Sequence, residues 1–465
     1  MAEAIRRLGR KKGDLPVRRT VLLGAAGRDF HNFLVALRDD PAAEVMAFTA
    51  AQIPHIEGRC FPAVLAGPRY PDGIPIVLES QLEETLRKTH AHEAIFSYSD
   101  VSHEHVMHLA SRVLATGADF RLLGPKSTML ESHLPVISVC AVRTGAGKSP
   151  TTRRVCRLLQ ATGWRPVVVR HPMPYGDLLV QSCQRFTSEE DLQAAHCTIE
   201  EREEYEPLVR SGVTVFAGVD YAAILRRAED EANIIIWDGG NNDLPFYRSD
   251  LEIVVLDPYR VGHELKYHPG EANFRRAHVL VINKCNTAEP EDVALLQSHV
   301  AEINPQATVI RAASTLSVDG PEGSGPESLR GLRAVAVEDG PTVTHGGMRF
   351  GAGALVAQQY GATLVDLKPY AVGEIADTYQ AYPSLGPVLP AMGYSKAQFR
   401  DLEETLDRVP CDAVVVGTPI DLPRLIRFSQ PAFRVTYDLQ EIGRPTLADV
   451  LQSRWGDQVS SPVPS

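Results

Sequence analysis

The stretch SVCAVRTGAGKSPTTRRV, residues 138–155, constrains the chain more than any other. An apolar run gives way to the small-residue turn TGAG and then to an amphipathic pattern, TTRRVCRLLQATG. That order predicts a buried strand, a tight turn and a helix. Backbone N–H groups of such a turn and the positive end of the helix converge on one point, where they attract phosphate. The ending of the pattern G-x-x-x-x-G-K-[ST] is present in Gly147, Lys148 and Ser149, but Val142 stands where its first glycine belongs. Lys148 is expected to reach the β- and γ-phosphates of a nucleotide, and the Ser149 hydroxyl to hold Mg2+. Pro150 suits a first helical turn, whose N–H groups have no intrahelical partner. Nucleotide contacts are thus expected along Thr144, Gly145, Ala146, Gly147, Lys148, Ser149, Pro150 and Thr151.

Two downstream signals agree with a phosphate loop. In NIIIWDGG, residues 233–240, an apolar strand ends on Asp238, the way a metal-facing acid is presented. In VLVINKCN, residues 279–286, Asn283 and Lys284 follow a buried strand as in the base-reading N-K-x-D element. The aspartate of that element is here Asn286. An amide offers one acceptor and one donor rather than two acceptors, which tilts the reading from GTP towards ATP. The loop resembles K-G-G-x-G-K-[ST], the variant of the dimeric MinD and nitrogenase-iron-protein ATPases, with Arg143 at its leading lysine and Thr144 at its first glycine. The resemblance implies a homodimer in which Arg143 reaches the partner's nucleotide; a structural arginine fits the same position.

Around the loop the sequence alternates short apolar runs with helical patterns, which predicts parallel α/β layers. The expected class is multi-domain α/β: an N-terminal Rossmann-like parallel domain, then a P-loop NTPase core of the MinD and nitrogenase-iron-protein type. The expected boundaries are a disordered basic tail over 1–17, the Rossmann-like domain over 18–132 and the nucleotide-binding domain over 133–316. A Gly/Pro/Ser-rich linker over 317–331 leads to a C-terminal α/β section over 332–450, which could complete the P-loop core, and a tail over 451–465.

The 47 Lys and Arg against 58 Asp and Glu give a net charge of -11, which disfavours non-specific nucleic-acid binding. No apolar run approaches the ~18 residues needed to cross a bilayer. The seven cysteines contain no C-x-x-C pair, as suits a reduced, cytoplasmic setting. Basic groups in so acidic a chain point to a local anion pocket. VVVRHPMPYGDLLVQSCQRF places Arg170, His171, Asp177 and Arg185 at a sheet's carboxyl edge, and DPYRVGHELKYHPGE supplies Arg260 and His263. Asp177 is a candidate Mg2+ ligand with Ser149 and Asp238, or simply a helix cap. TIEEREEYE, residues 198–206, reads as a solvated acidic helix, and SHEHVMH fails the H-E-x-x-H metal pattern at Met107. Arg28 and His31, after the strand-to-helix turn LLGAAG, are further candidate anion contacts.

RTGAGKS, RHPMPYGDL, EEREEYEP, GVDYAAIL, IIIWDGGNND, GHELKYHPGE, VEDGPTVTHGGM, VDLKPYAVGEI and VLPAMGY together resemble the cyclic 2,3-diphosphoglycerate synthetase family, from about residue 18 to about 440. The resemblance implies an ATP- and Mg2+-dependent ligase that closes an intramolecular phosphoanhydride in 2,3-bisphosphoglycerate and releases ADP and phosphate. Lys148, Asp177, Asp238 and Arg143 would then be catalytic, and Arg170, His171, Arg185, Arg260 and His263 would bind the polyanionic substrate. The alternative is a nucleotide-hydrolysing switch or assembly GTPase or ATPase acting on a protein or another small-molecule partner.

Overall fold

The computed structural model describes residues 17–25, 27–51, 59–171, 176–240, 243–321, 324–344, 347–391 and 396–456. The expected basic tail lies outside them but for Val17, as do 457–465; the last helix, Leu447–Trp455, runs into the stretch expected to be tail. Its Trp455 is buried in the central core, which is why the chain stays ordered there.

The first section contains β1 (Arg18–Leu23), β2 (Ala43–Ala50), β3 (Cys60–Phe61), β4 (Ile74–Leu78), β5 (Glu93–Phe96), β6 (Val101–Ser102) and β7 (Asp119–Leu122). Six of them form a sheet in the order β3-β4-β2-β1-β5-β7, parallel except for β3. The chain leaves β1 towards β2 and returns on its other side as β5. The strand order therefore reverses between β1 and β5, and that reversal opens a crevice at their carboxyl ends. Phe30, Phe33, Phe48 and Phe61 fill one face of this sheet edge to face.

The middle section supplies β8 (Val136–Ala141), β9 (Pro166–Arg170), β10 (Gln184–Phe186), β11 (Thr214–Ala217), β12 (Ile234–Asp238), β13 (Leu251–Leu256), β14 (Tyr267–His268), β15 (Val279–Ile282) and β16 (Thr308–Asp319). The last section supplies β17 (Arg333–Asp339), β18 (Thr363–Leu364), β19 (Leu389–Ala391), β20 (Ala413–Val416) and β21 (Ala432–Ile442). All but β14 of these strands join one 13-stranded sheet, β10-β11-β9-β12-β8-β13-β15-β16-β21-β20-β17-β18, with β19 on β17. Every residue of β8, β12 and β13 is buried. Such uninterrupted apolar runs mark strands covered by helices on both faces.

The antiparallel pair β16–β21 joins the middle and last sections, with register from Arg311 opposite Ile442 to Asp319 opposite Arg434. The stretch expected as a linker is thus partly sheet, because β16 continues through Asp319. The helix after the phosphate-loop turn, Lys148–Ala161, lies on the same junction, with Arg157 bound to Asp438 at 3.1 Å and Arg154 to Glu441 at 3.1 Å. The first section is tied to the middle one by the short antiparallel pair β6–β14. Among the described residues no helix is long and apolar enough to cross a membrane.

Candidate functional site

β8 ends in the core and the chain turns sharply before the helix that starts at Lys148. Gly145 sits at φ +80° and Gly147 at φ +113°, backbone conformations that an L side chain rarely adopts. A Cβ at Gly147 would also strike the Asn283 amide. The turn is held from two directions and closely approached from a third. From the first section, Asp100 accepts the Thr144 N–H at 3.0 Å, the Thr144 hydroxyl at 2.6 Å and Arg143 Nε at 2.7 Å. From beneath, Asn283 Nδ2 donates to Ala146 O at 3.0 Å, Lys284 Nζ to Gly145 O at 2.8 Å and Arg260 Nη2 to Thr144 O at 2.7 Å. From the last section, Thr342 lies where a Cβ at Gly145 would touch it at 3.0 Å.

Lys148 Nζ donates to Asp238 Oδ1 at 2.6 Å, and Arg170 bonds the other oxygen of the same carboxylate. Burial, with the charge of Arg170 beside it, lowers Lys148 to about 8. Burial alone would raise Asp238, but Arg170 and Lys148 outweigh it and hold the carboxylate below its ordinary range. Arg170 also contacts Glu204 and is almost wholly enclosed. His171 follows, wedged where a side chain at Gly27 or Gly240 would collide with its ring. Burial and the charges of Arg170 and Lys148 keep it neutral, at about 3. A lysine, an ionised acid and an arginine thus meet at the carboxyl ends of β9 and β12, beside the glycine turn that leads into the helix Lys148–Ala161.

Other expected site residues are placed differently. Arg143, expected to reach a neighbouring subunit, is turned into its own chain: besides Asp100 it meets His263 Nδ1 at 2.8 Å and lies 3.7 Å over the Tyr267 ring. Arg260 is bound to Asp257 and serves as a strut under the loop. Burial and neighbouring cations, Arg143 first, bring His263 down to about 4, so it adds no charge at neutral pH. Arg185 sits on the outermost strand β10 and pairs with Glu231 at 2.7 Å, away from β12 by two intervening strands. Asp177 is exposed and accepts the Leu179 N–H at 2.8 Å, capping a turn; the preceding residues 172–175 lie outside the described set. The described residues contain no group of three His, Cys, Asp or Glu arranged to hold a metal. Asn286, read as a base reader, has its amide paired with the Ser314 backbone at 3.0 and 3.3 Å. Arg28 and His31 are buried on Thr128, at 2.7 and 2.6 Å.

The acidic helix Ile199–Arg210 is the largest departure from expectation. It begins with a capping box between Thr198 and Glu201, and Glu200, Glu201, Glu203 and Glu206 are all buried. Thr418 donates to Glu203 Oε1 at 2.5 Å, and burial beside Asp339 raises the Glu203 carboxyl well above its ordinary value. Ile199 packs into the last section's core while Tyr205 and Leu208 pack into the middle one. The helix is therefore an internal partition, not a solvated face. An acid-rich string alone does not say which of its carboxyls a second section will cover. Asp100 and Thr342 were also unmarked, because each lies far from the loop in sequence.

Fold and site define a mixed α/β protein with a phosphate-loop turn between a parallel strand and its helix. The chain belongs to the family of the arginine synthetase ArcE of Thermococcus kodakarensis, with which it is 57% identical over 436 residues, 94% of this chain and 96% of that protein. A more distant relative is the cyclic 2,3-diphosphoglycerate synthetase of the same organism, 23% identical over 262 residues, 52% of this chain and 59% of that protein. The family expected from sequence is thus present as the remoter of the two relations. No family model matches the chain. Among solved structures, LpxK from Aquifex aeolicus in complex with ATP aligns at TM-score 0.41 and 14% identity, over 73% of this chain and 91% of that one. A likeness of that size is too remote to bear on the site.

Proposed function

We propose that this chain is an ATP-dependent ligase that forms arginine. The observation that carries the reading is the near-full-length, 57% identity to a protein named arginine synthetase. The turn at Thr144–Ser149 supports the ATP half of it. A guanidinium carbon bears three nitrogens, and a ureido carbon bears two nitrogens and one oxygen. Converting one to the other means expelling an oxygen that is a poor leaving group. Transfer of the γ-phosphoryl group of ATP to the ureido oxygen of L-citrulline cures that. Ammonia then attacks the carbon, the C–O bond breaks, and phosphate departs as the new nitrogen loses a proton. The balance is citrulline, ammonia and ATP to arginine, ADP and phosphate.

In this scheme the protein positions and neutralises charge. Lys148 leaves Asp238 for the β- and γ-phosphates, and Arg170 stays to compensate the carboxylate. Ser149 and Asp238 are the groups that would hold Mg2+: the acid is kept ionised beside the loop, and Mg2+ takes one or two carboxylates together with phosphate oxygens. When bound, the ion spreads the charge that develops on the transferred phosphoryl group.

Phosphoanhydride closure in 2,3-bisphosphoglycerate, the expectation from the sequence motifs, has the 23% relative in its favour. It asks for a cationic basin. Arg170, Arg185 and Arg260 are instead paired with carboxylates, which suits a less anionic acceptor better. The purified protein, given ATP, Mg2+, ammonium and L-citrulline, should yield arginine and ADP in equal amounts by amino-acid and nucleotide analysis. ATP turnover indifferent to citrulline and ammonium would defeat the reading. A cyclic product by phosphorus NMR with 2,3-bisphosphoglycerate would replace it with the other.

A further inference from the structure

The crevice where the first sheet reverses its strand order is not empty of chemistry. Behind β1 stand Arg28 and Asn32, behind β5 stands Ser97, and the middle section closes the crevice with Asp243 and His268. The space left between them is about that of one water. Three of its groups are poorly provided for. The Asn32 amide nitrogen donates to Ser97 Oγ at 2.9 Å, but among the described residues its Oδ1 is buried with no partner. Arg28 is buried as a cation, and no described carboxylate lies within ion-pairing distance of it. It donates to the Thr128 hydroxyl at 2.7 Å and to the Leu244 carbonyl at 3.3 Å. Asp243 is buried with one oxygen bonded to Ser99 and the other 3.5 Å from His171 Nδ1.

A guanidinium without a carboxylate, an amide oxygen without a donor and an enclosed carboxyl form the complement of a zwitterion. The geometry points to this crevice as the site of the acceptor amino acid, its α-carboxylate on Arg28 and its α-ammonium on Asn32 Oδ1 and Asp243. The inference rests on the arginine-forming reading. Burial, only partly offset by Ser99 and Arg28, raises Asp243 to about 7, so an arriving ammonium would find a carboxyl ready to ionise. The crevice also adjoins the phosphate loop through side chains already in contact. Asp243 meets His171, the neighbour of Arg170, and Arg170 meets Asp238. Ser99, bonded to Asp243, is followed by Asp100, which grips Thr144. An amino acid anchored here would point its side-chain end along that line towards the nucleotide, with the intervening side chains giving way as it enters.

The test uses the full chain, with L-arginine as the probe in titration calorimetry and agmatine, which lacks the carboxylate, beside it. The wild-type protein should bind L-arginine and discriminate against agmatine. Asn32→Leu and Asp243→Asn should each weaken L-arginine binding roughly ten- to a hundred-fold while ATP binding stays within about two-fold. Arg28→Met should remove the preference over agmatine. If Asn32→Leu loses its cooperative thermal transition, the nearly isosteric Asp243→Asn carries the test. A protein that makes arginine while both variants keep wild-type affinity overturns the crevice and leaves the proposed reaction standing. One that neither makes nor binds arginine overturns the reaction, and the crevice with it.

Discussion

Lys148 is a cation with very little water around it, and Asp238 is the reason it remains charged. Lysine to alanine leaves Asp238 with Arg170 alone and removes the group that, in the proposed reaction, turns to the β- and γ-phosphates. We expect Lys148→Ala to cut ATP turnover by at least about a hundred-fold, the loss of a charge-assisted contact of roughly 3 kcal/mol. A steady-state assay beside the wild type measures it, and parental turnover would contradict the role. The depressed value of Lys148 has a pH signature. The free protein begins to lose this proton near pH 8 rather than near the ordinary lysine value of 10.5. Because kcat/KM reports the free enzyme, kcat/KM for ATP should fall above about pH 8. A profile level to pH 9.5 would show that the ammonium is not required. At this scale the sequence was informative where chemistry is local: Lys148, Ser149 and Asp238 could be marked because a strand, a turn and a helix present them. The contacts of Arg185 with Glu231 and of Asn286 with Ser314 were not legible, because these partners are remote in sequence and a pattern cannot show that a side chain is already engaged.

Elements carry their own constraints. Gly147 is both left-handed and pressed against Asn283, so Gly147→Ala faces backbone strain and a collision together. It should cost on the order of 1–3 kcal/mol of stability and impair nucleotide binding more than a substitution on the exposed face of the following helix. Calorimetry with and without ATP separates the two effects. At the end of β17, Glu338 accepts the N–H groups of Gly353 and Ala354, at 3.2 and 2.7 Å, and so caps the helix Ala352–Gln359 from a neighbouring strand. Burial raises its carboxyl to about 7 even though these N–H groups pull it down. The folded state then holds a proton between about pH 4.5 and 7 that the unfolded state has released. Stability from this group is present below that window and is lost as pH rises through it. Glu338→Gln keeps an acceptor and cannot ionise. The variant should therefore gain on the wild type as pH goes from 5 to 8, by at most about 3 kcal/mol; a difference that shrinks over that range would refute the assignment. Most strands of the large sheet were legible as apolar runs. β21, AFRVTYDLQEI, is no such run: its buried and open positions alternate, and its register is set by the pairing with β16 on one side and β20 on the other. β4 is not one either, since IPIVL carries a proline that its edge partner tolerates.

For the molecule as a whole, the 13-stranded sheet means that the middle and last sections share one hydrogen-bonded framework. Sequence divided them at a Gly/Pro/Ser-rich stretch, which is a sound sign of a surface loop but not of an independent unit. Ending the chain at residue 331 would strip β21 from β16 and expose a long unpaired edge. It would also uncover the buried carboxyls of Ile199–Arg210. We expect such a truncation to aggregate or to lack a cooperative thermal transition, and the full chain to show no separate melting of the last section. A soluble truncation with a sharp transition and retained ATP binding would contradict this.

The meeting of three sections around the glycine turn has a consequence for how the protein comes into being. During synthesis the turn emerges with Asp100 already made, but Thr342 follows Gly145 by about 200 residues. A chain that has emerged only to residue 331 already carries Asp100 on one side of the loop and Arg260, Asn283 and Lys284 beneath it, and lacks only the neighbour on the third side. The order in which the loop's surroundings are laid down therefore follows the order of the sections along the chain, with the last section closing over a turn made about 200 residues earlier.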